Sequence, residues 1–325
     1  MLSYAGPVIL VVLVALWFWG LALGIALITH PKLGTSVTAT TGATPTDFAT
    51  ALYLSGDSMT TVGSTDLAPR TDFFRVLFVA SSFIGLSVIT LTLTYFLEIY
   101  NALHRRNTFA LKIHLAGAET ADAAELVAGV GPEGEFKAGY ARLTEIGAEL
   151  ASFKESHHFY SVLLYFRFRD ANYSLPRVEL LTLDAATLMK SGLDDRRYAW
   201  LKESAAVTQI WRATMHVLTV LAATFLPGGM PQPEPGDAPD DETLQRWRRR
   251  YFAALRRFRE AGIATVADEE SGADTYVSLR ARWDRYIVAF AAFLVEHMTV
   301  VDPPGTRPQD AEDREDFRAR LRSVG

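Results

Sequence analysis

The stretch Thr60-Thr61-Val62-Gly63-Ser64-Thr65-Asp66 gathers threonine and serine hydroxyls, one glycine and one carboxylate between two long apolar runs. It has neither helical nor strand periodicity. Non-helical backbone at membrane depth persists only where it lines a water-filled path or is buried in protein. Oxygen-bearing residues in such a place suit contact with water or a cation, not with lipid. A second carboxylate, Asp57, lies just upstream.

The elements that must position this stretch follow from the flanking sequence. The first apolar run, about residues 7–29, contains no charged residue. At 1.5 Å per residue, about 20 helical residues cross a hydrocarbon core of about 30 Å. A cleaved signal peptide would want a basic n-region and a shorter apolar core, so a span is expected. Trp17 and Trp19 fall mid-run and are expected to pack against another helix instead of forming an interfacial belt. The second run, about 76–104, alternates threonine with branched apolar residues in its lower half, as a strand would. A lone strand in lipid leaves its backbone unpaired, so helix is expected. Arg105 and Arg106 mark its cytoplasmic end, which places a multi-pass chain in the plasma membrane with both termini inside.

Between the spans, His30 to Ala43 read as an exposed turret rich in Thr and Gly. Thr44-Pro45-Thr46-Asp47 reads as a helix start, with Thr44 as cap and Pro45 at the first position. The short helix, about 45–59, cannot span. Its C-terminus points at the opening stretch.

Span, short helix, T-V-G, an acid, a proline and a second span resemble the pore module of two-span potassium channels, and the match runs from Ala51 to Val88. The resemblance implies a mainly α fold and a homotetramer, since a single loop cannot surround an ion. It also implies a filter in which oxygens of Thr61, Val62, Gly63, Ser64 and Thr65 replace the hydration shell of a permeant monovalent cation, K+ and possibly Na+. Asp57, Asp66 and Tyr53 would support the filter. If the two acids approach, they would share a proton or bridge a water, because adjacent carboxylates do not both ionise cheaply. The other arrangement has Asp66 alone facing the outer vestibule. Gly85 matches a hinge glycine, or it permits close helix packing. Thr90, Thr94 and Leu97 recur at helical spacing and would line a cavity, unless the threonines bond their own backbone. Tyr95 and Phe96 are candidate gate residues or lipid anchors.

The sequence departs from the family at Ser64 and Thr65, where most relatives carry Tyr and Gly, and at Tyr53-Leu54, where two tryptophans are common. These changes reduce the packing collar around the filter and leave potassium over sodium selectivity open. Gating stimulus, resting conduction and the role of the remaining domain are likewise open.

From 107 to 325 a helical cytoplasmic domain is expected, interrupted by a Pro/Gly-rich loop at about 227–241. Its helices read as 108–118, 124–130, 136–168, 174–193, 198–226, 242–262 and 275–298, with Asp241 as a cap and a charged tail beyond. The 198–226 run has the apolar length of a third span. Gln209, Arg212 and His216 interrupt it, which favours a soluble helix. Glu155-Ser156-His157 and the 162–167 run resemble the helical cytoplasmic domain of some bacterial two-span channels. Glu155, His157 and His158 are either a metal or proton sensor or, as favoured here, core or interface residues. The arginines at 246, 248, 249, 250, 256, 257 and 259 form either a lipid-facing stripe or a face paired with neighbouring acids.

Of the 325 residues none is cysteine, which excludes disulfides and thiolate chemistry, and the net charge of −5 argues against a nucleic-acid partner. No phosphate-binding fingerprint, nucleophile elbow or metalloprotease motif occurs, so neither a cofactor nor an enzyme is expected. No arginine-rich sensor helix is evident. Three functions fit: a potassium-permeable tetrameric channel, a nonselective cation channel of the same build, or a non-conducting membrane-anchored scaffold. The implied partners are the bilayer, monovalent cations, other copies of the chain and an unknown cytoplasmic regulator.

Overall fold

The computed structural model describes residues 5–60, 63, 66–166, 168, 170–226, 228–229 and 239–302. The fold is mainly α. Contacts divide it into two units, Met1–Leu103 with Val162–Phe166, and His104–Ser161 with Arg167–Gly325.

The first unit begins with α1 (Ala5–Thr29), which ends where Pro31 cannot continue a helix and a 3₁₀ turn, His30–Lys32, takes over. Strand β1 (Val37–Ala39), helix α2 (Phe48–Met59), strand β2 (Leu67–Pro69) and the 45-residue α3 (Asp72–Ala116) follow. Among the described residues, two helices are long and apolar enough to cross a membrane, Val8–Lys32 and Asp72–Ala116. Helix α1 buries Leu10, Ala22, Ala26 and Thr29 at helical spacing and turns most of its other side chains outward. Trp17 and Trp19 are largely exposed.

Two expectations for the segment between the spans need correction. The cap of α2 is Asp47, whose carboxylate accepts from Thr50 N at 2.9 Å and from Thr50 Oγ1 at 2.8 Å. Thr44 is unavailable for capping because its Oγ1 accepts instead from Ala39 N at 2.9 Å. The supposed turret is also not simply exposed. Leu33 and Val37 are buried in a core with Ala26, Ala51, Leu54 and Phe74, against which Leu67 packs. Strand β1 pairs antiparallel with β2 in the register Val37↔Pro69, Thr38↔Ala68 and Ala39↔Leu67. Pro69 sits where its missing N–H costs an edge pair little.

The second unit is built around α6 (Leu175–Gly192), capped by Ser174 and buried at every position except Arg177 and Lys190. A helix buried on all sides belongs at a centre. Around it lie α4 (Ala123–Val130), α8 (Ala205–Phe225), α9 (Asp241–Glu260), α10 (Glu269–Ala281), α11 (Asp284–Phe293) and the short α12 (Met298–Val301). Helix α5 (Phe136–Phe159) packs on α8, and α7 (Asp195–Lys202) precedes it.

Several helices stop earlier than periodicity suggests. Helix α5 ends at Phe159 and tightens into a 3₁₀ turn at Ser161–Tyr165, a difference that apolar spacing over one turn does not report. The 198–226 run breaks at Ser204, whose hydroxyl caps α8 through Val207 N at 3.3 Å. Asp240 caps α9 in place of Asp241, accepting from Thr243 N at 2.8 Å. The 275–298 run breaks at Trp283, which is fully buried and donates its indole N–H to Thr187 Oγ1 at 3.2 Å. Tertiary packing overrides helix propensity there. The 227–241 loop and the tail lie largely outside the described residues, as does Arg167.

Ionic groups occupy the interior of this unit. Arg280, fully buried, pairs with Asp184 at 3.2 Å, Asp284 at 3.2 Å and Asp302 at 2.7 Å. Its guanidinium lies 5.4 Å from the Trp247 ring centre and 5.0 Å from that of Trp283. Arg250 pairs with Asp184 at 3.0 Å and with Asp302. Burial raises the Asp302 carboxyl, but Arg250 and Arg280 outweigh it and hold the group below the usual carboxylate range. Three other arginines of the expected basic stripe also meet acids, Arg248 with Glu270 and Asp274, Arg257 with Glu125 at 2.8 Å, and Arg259 with Glu269.

Candidate ion-conduction site

Helix α2 places the site. Its buried face is Ala51, Leu54, Ser55 and Met59, and the Ser55 hydroxyl returns to Ala51 O at 2.7 Å. At its end Thr60 N–H donates to Gly56 O at 3.1 Å and Asp57 O at 3.3 Å, which closes the last turn. The remaining C-terminal carbonyls carry the negative end of the helix dipole and favour a nearby cation. Directly after them comes Thr61-Val62-Gly63-Ser64-Thr65. Thr61, Val62, Ser64 and Thr65 lie outside the described residues. Gly63 has φ +66°, in the left-handed region that favours glycine.

Two contacts join the end of α2 to α3. A Cβ added at Gly85 would lie 1.9 Å from Met59 O, so the two backbones touch where only glycine fits. Ser82 Oγ donates to Ser58 O at 2.6 Å, bridging the same two helices. Gly85 was singled out in the sequence; Ser82 was not. A serine in an apolar run is an ambiguous signal, because it commonly bonds its own helix, and Ser82 is also 2.9 Å from Phe78 O.

The supporting residues fall in different settings. Tyr53 is half exposed on the outer face of α2, while its neighbour Leu54 is buried. Asp57 is half-buried and Asp66 exposed. The Asp66 carbonyl accepts from Thr40 N at 2.9 Å and from Thr40 Oγ1 at 3.2 Å, extending the β1–β2 ladder up to the acid. Sequence reading missed this ladder because β1 is only three residues long. Its alternating Val37, Thr38, Ala39 and Thr40 are the one strand-like signal.

Lower on α3, Thr90, Thr94 and Leu97 are exposed along one helical line. The Thr94 hydroxyl donates to Thr90 O at 2.9 Å. Tyr95 is exposed and Phe96 half-buried.

In the second unit, His157 is buried against Phe153, with ring centres 4.3 Å apart and Nδ1 3.0 Å from Phe153 O. Burial pushes its pKa down to about 4, so it is neutral near pH 7. His158 is exposed, and Glu155 pairs with Lys154 at 3.0 Å. Among the described residues no three acidic or histidine side chains are grouped to hold a metal.

A helix too short to span is held end-on against one of two helices of membrane length. Residues 9–101 match the family described as "Ion channel", which supports an ion channel in a membrane. A curated relative, the uncharacterized membrane protein YdjJ of Bacillus subtilis (strain 168), is 25% identical over 240 residues, covering 72% of this chain and 67% of that protein. The match extends beyond the channel module, because 240 residues exceed the 9–101 segment. No solved structure gives a significant match.

Proposed function

We propose that the chain forms a homotetrameric channel that passes potassium through the Thr61–Thr65 filter. The observation that carries this is the fixed aim of α2. Its C-terminus is locked to α3 by the Gly85–Met59 contact and the Ser82–Ser58 hydrogen bond immediately before T-V-G. A cation leaving water there meets the negative end of a helix and then the oxygens of Thr61, Val62 and Gly63, which replace its hydration shell. Four copies surround the path. The outer oxygens, from Ser64 and Thr65, differ from the usual pattern, and Asp66 adds negative charge at the outer mouth.

Gly85 acts in this arrangement as a packing glycine, because its neighbour is backbone. Thr90, Thr94 and Leu97 face the cavity, and Tyr95 and Phe96 lie toward the gate. Arg105 and Arg106 favour a cytoplasmic helical unit that supports assembly or answers a regulator. A nonselective cation channel is the second reading, favoured by Ser64 and Thr65.

Bilayers containing the purified protein, bathed in unequal potassium and sodium, test this. A reversal potential near that of potassium supports the proposal, and an intermediate value supports the nonselective channel. Reproducible silence turns the case to a non-conducting scaffold.

A further inference from the structure

In channels of this build an aromatic collar commonly holds the filter open, and here that collar is thin. Ser64 replaces the usual tyrosine, and Tyr53 points outward, half exposed. Something else must fix the outer end of the loop, since a polar backbone without lateral support samples several conformations.

The described residues offer one device. Strand β2 starts one residue after Asp66, and β1 pairs with it throughout. Beyond the ladder, Thr40 spends both its N–H and its hydroxyl on the Asp66 carbonyl. At the other end Arg70 N donates to Ser36 O at 2.8 Å, and Arg70 Nε donates to Thr38 Oγ1 at 2.8 Å. The ladder does not float. Val37 is fully buried among Ala26 of α1, Ala51 and Leu54 of α2 and Phe74 of α3, and Leu67 packs on the same group. A chain of contacts therefore runs from Asp66 through two strands into a core contributed by all three helices.

We infer that the β1–β2 ladder, through Thr40 on the Asp66 carbonyl, replaces the aromatic collar and sets the position of the filter's outer end. Thr40 is a positioning residue: it touches no ion and acts through Asp66. The strand pair fixes residues 66–70 laterally. The inference rests on the channel reading for its effect on selectivity, though not for its effect on backbone order.

The test compares the full-length wild type with Thr40→Val, which loses only the hydroxyl, and Thr40→Pro, which also loses the N–H. Hydrogen exchange is followed in peptides covering 60–66 and, as a control, 48–59. Loss of one net hydrogen bond should speed exchange in the 60–66 peptide about fivefold in Thr40→Val, with a larger change in Thr40→Pro and none in α2. In bilayers the potassium over sodium permeability ratio should fall in the same order. Unchanged exchange in both variants overturns the inference, as does an unchanged permeability ratio in a conducting wild type. If the wild type passes no current, the channel reading fails and exchange alone decides the role of the ladder. If Thr40→Pro does not fold, the Thr38→Val/Thr40→Val double variant takes its place, with the same two outcomes.

Discussion

The two units solve opposite packing problems with the same element. In the first, large apolar side chains such as Leu16, Val79, Phe83 and Leu91 face outward, while polar contacts such as Ser82 to Ser58 O join one helix to the next. In the second, α6 is buried almost all round and charged side chains lie at the centre. The outward apolar surface of the first marks an interaction site, because such contiguous surface is unfavourable in water. The second can hold buried charges because each central arginine meets several carboxylates. Stability in the first unit thus rests on backbone proximity, and in the second on paired charge inside an apolar shell.

Four substitutions break or sharpen that contrast. The largest effect is expected for Arg280→Met, which strips Asp184, Asp284 and Asp302 of a shared cation. Breaking a buried pair from one side costs about 3–5 kcal/mol. Denaturant unfolding followed by tryptophan fluorescence would report it through Trp247 and Trp283, and an unshifted midpoint would show that the network is not needed. Next, Gly85→Ala forces a methyl into the Met59 carbonyl and should cost of order 3 kcal/mol through displacement of α2. Loss of the assembled state on size-exclusion chromatography in detergent is the readout, and normal assembly would contradict the backbone contact.

A smaller effect concerns Glu179, a fully buried carboxyl with no hydrogen-bond partner among the described residues. Burial raises its pKa well above the ordinary 4.5. The folded chain therefore keeps a proton that the unfolded chain releases, and stability falls as pH rises above the unfolded value. Glu179→Met should raise stability at pH 8 by about 1–3 kcal/mol and flatten the pH dependence, with little change at pH 4. Parallel pH profiles for both proteins would refute this. The smallest effect is expected for Arg248→Ala, whose partners Glu270 and Asp274 are largely exposed. Its cost should be below about 1 kcal/mol by thermal unfolding and should shrink further in high salt.

The spans and the short helix were legible because length and lack of charge leave little choice in a bilayer, and Gly85 because glycine in an apolar helix narrows the options. The helix caps were not. Thr44 and Asp47 are equally good caps by type, and only the distant hydrogen bond from Ala39 N assigns Thr44 elsewhere. Strand β1 escaped notice because its partner lies beyond α2 and pairing leaves no local signature. In the second unit Arg250 and Arg280 looked like any surface arginines, since the carboxylates that bury them come from residues 184, 284 and 302. The filter's own residues were named from a motif.

The contact at Gly85 has a genetic consequence. Most steric defects inside a protein can be relieved by trimming the neighbour that is struck, so a second mutation elsewhere restores function. Here the atom struck is the main-chain oxygen of Met59, which every amino acid carries unchanged. A screen for intragenic revertants of Gly85→Ala should therefore return mainly restoration of glycine at the same codon, and none that act by substituting position 59.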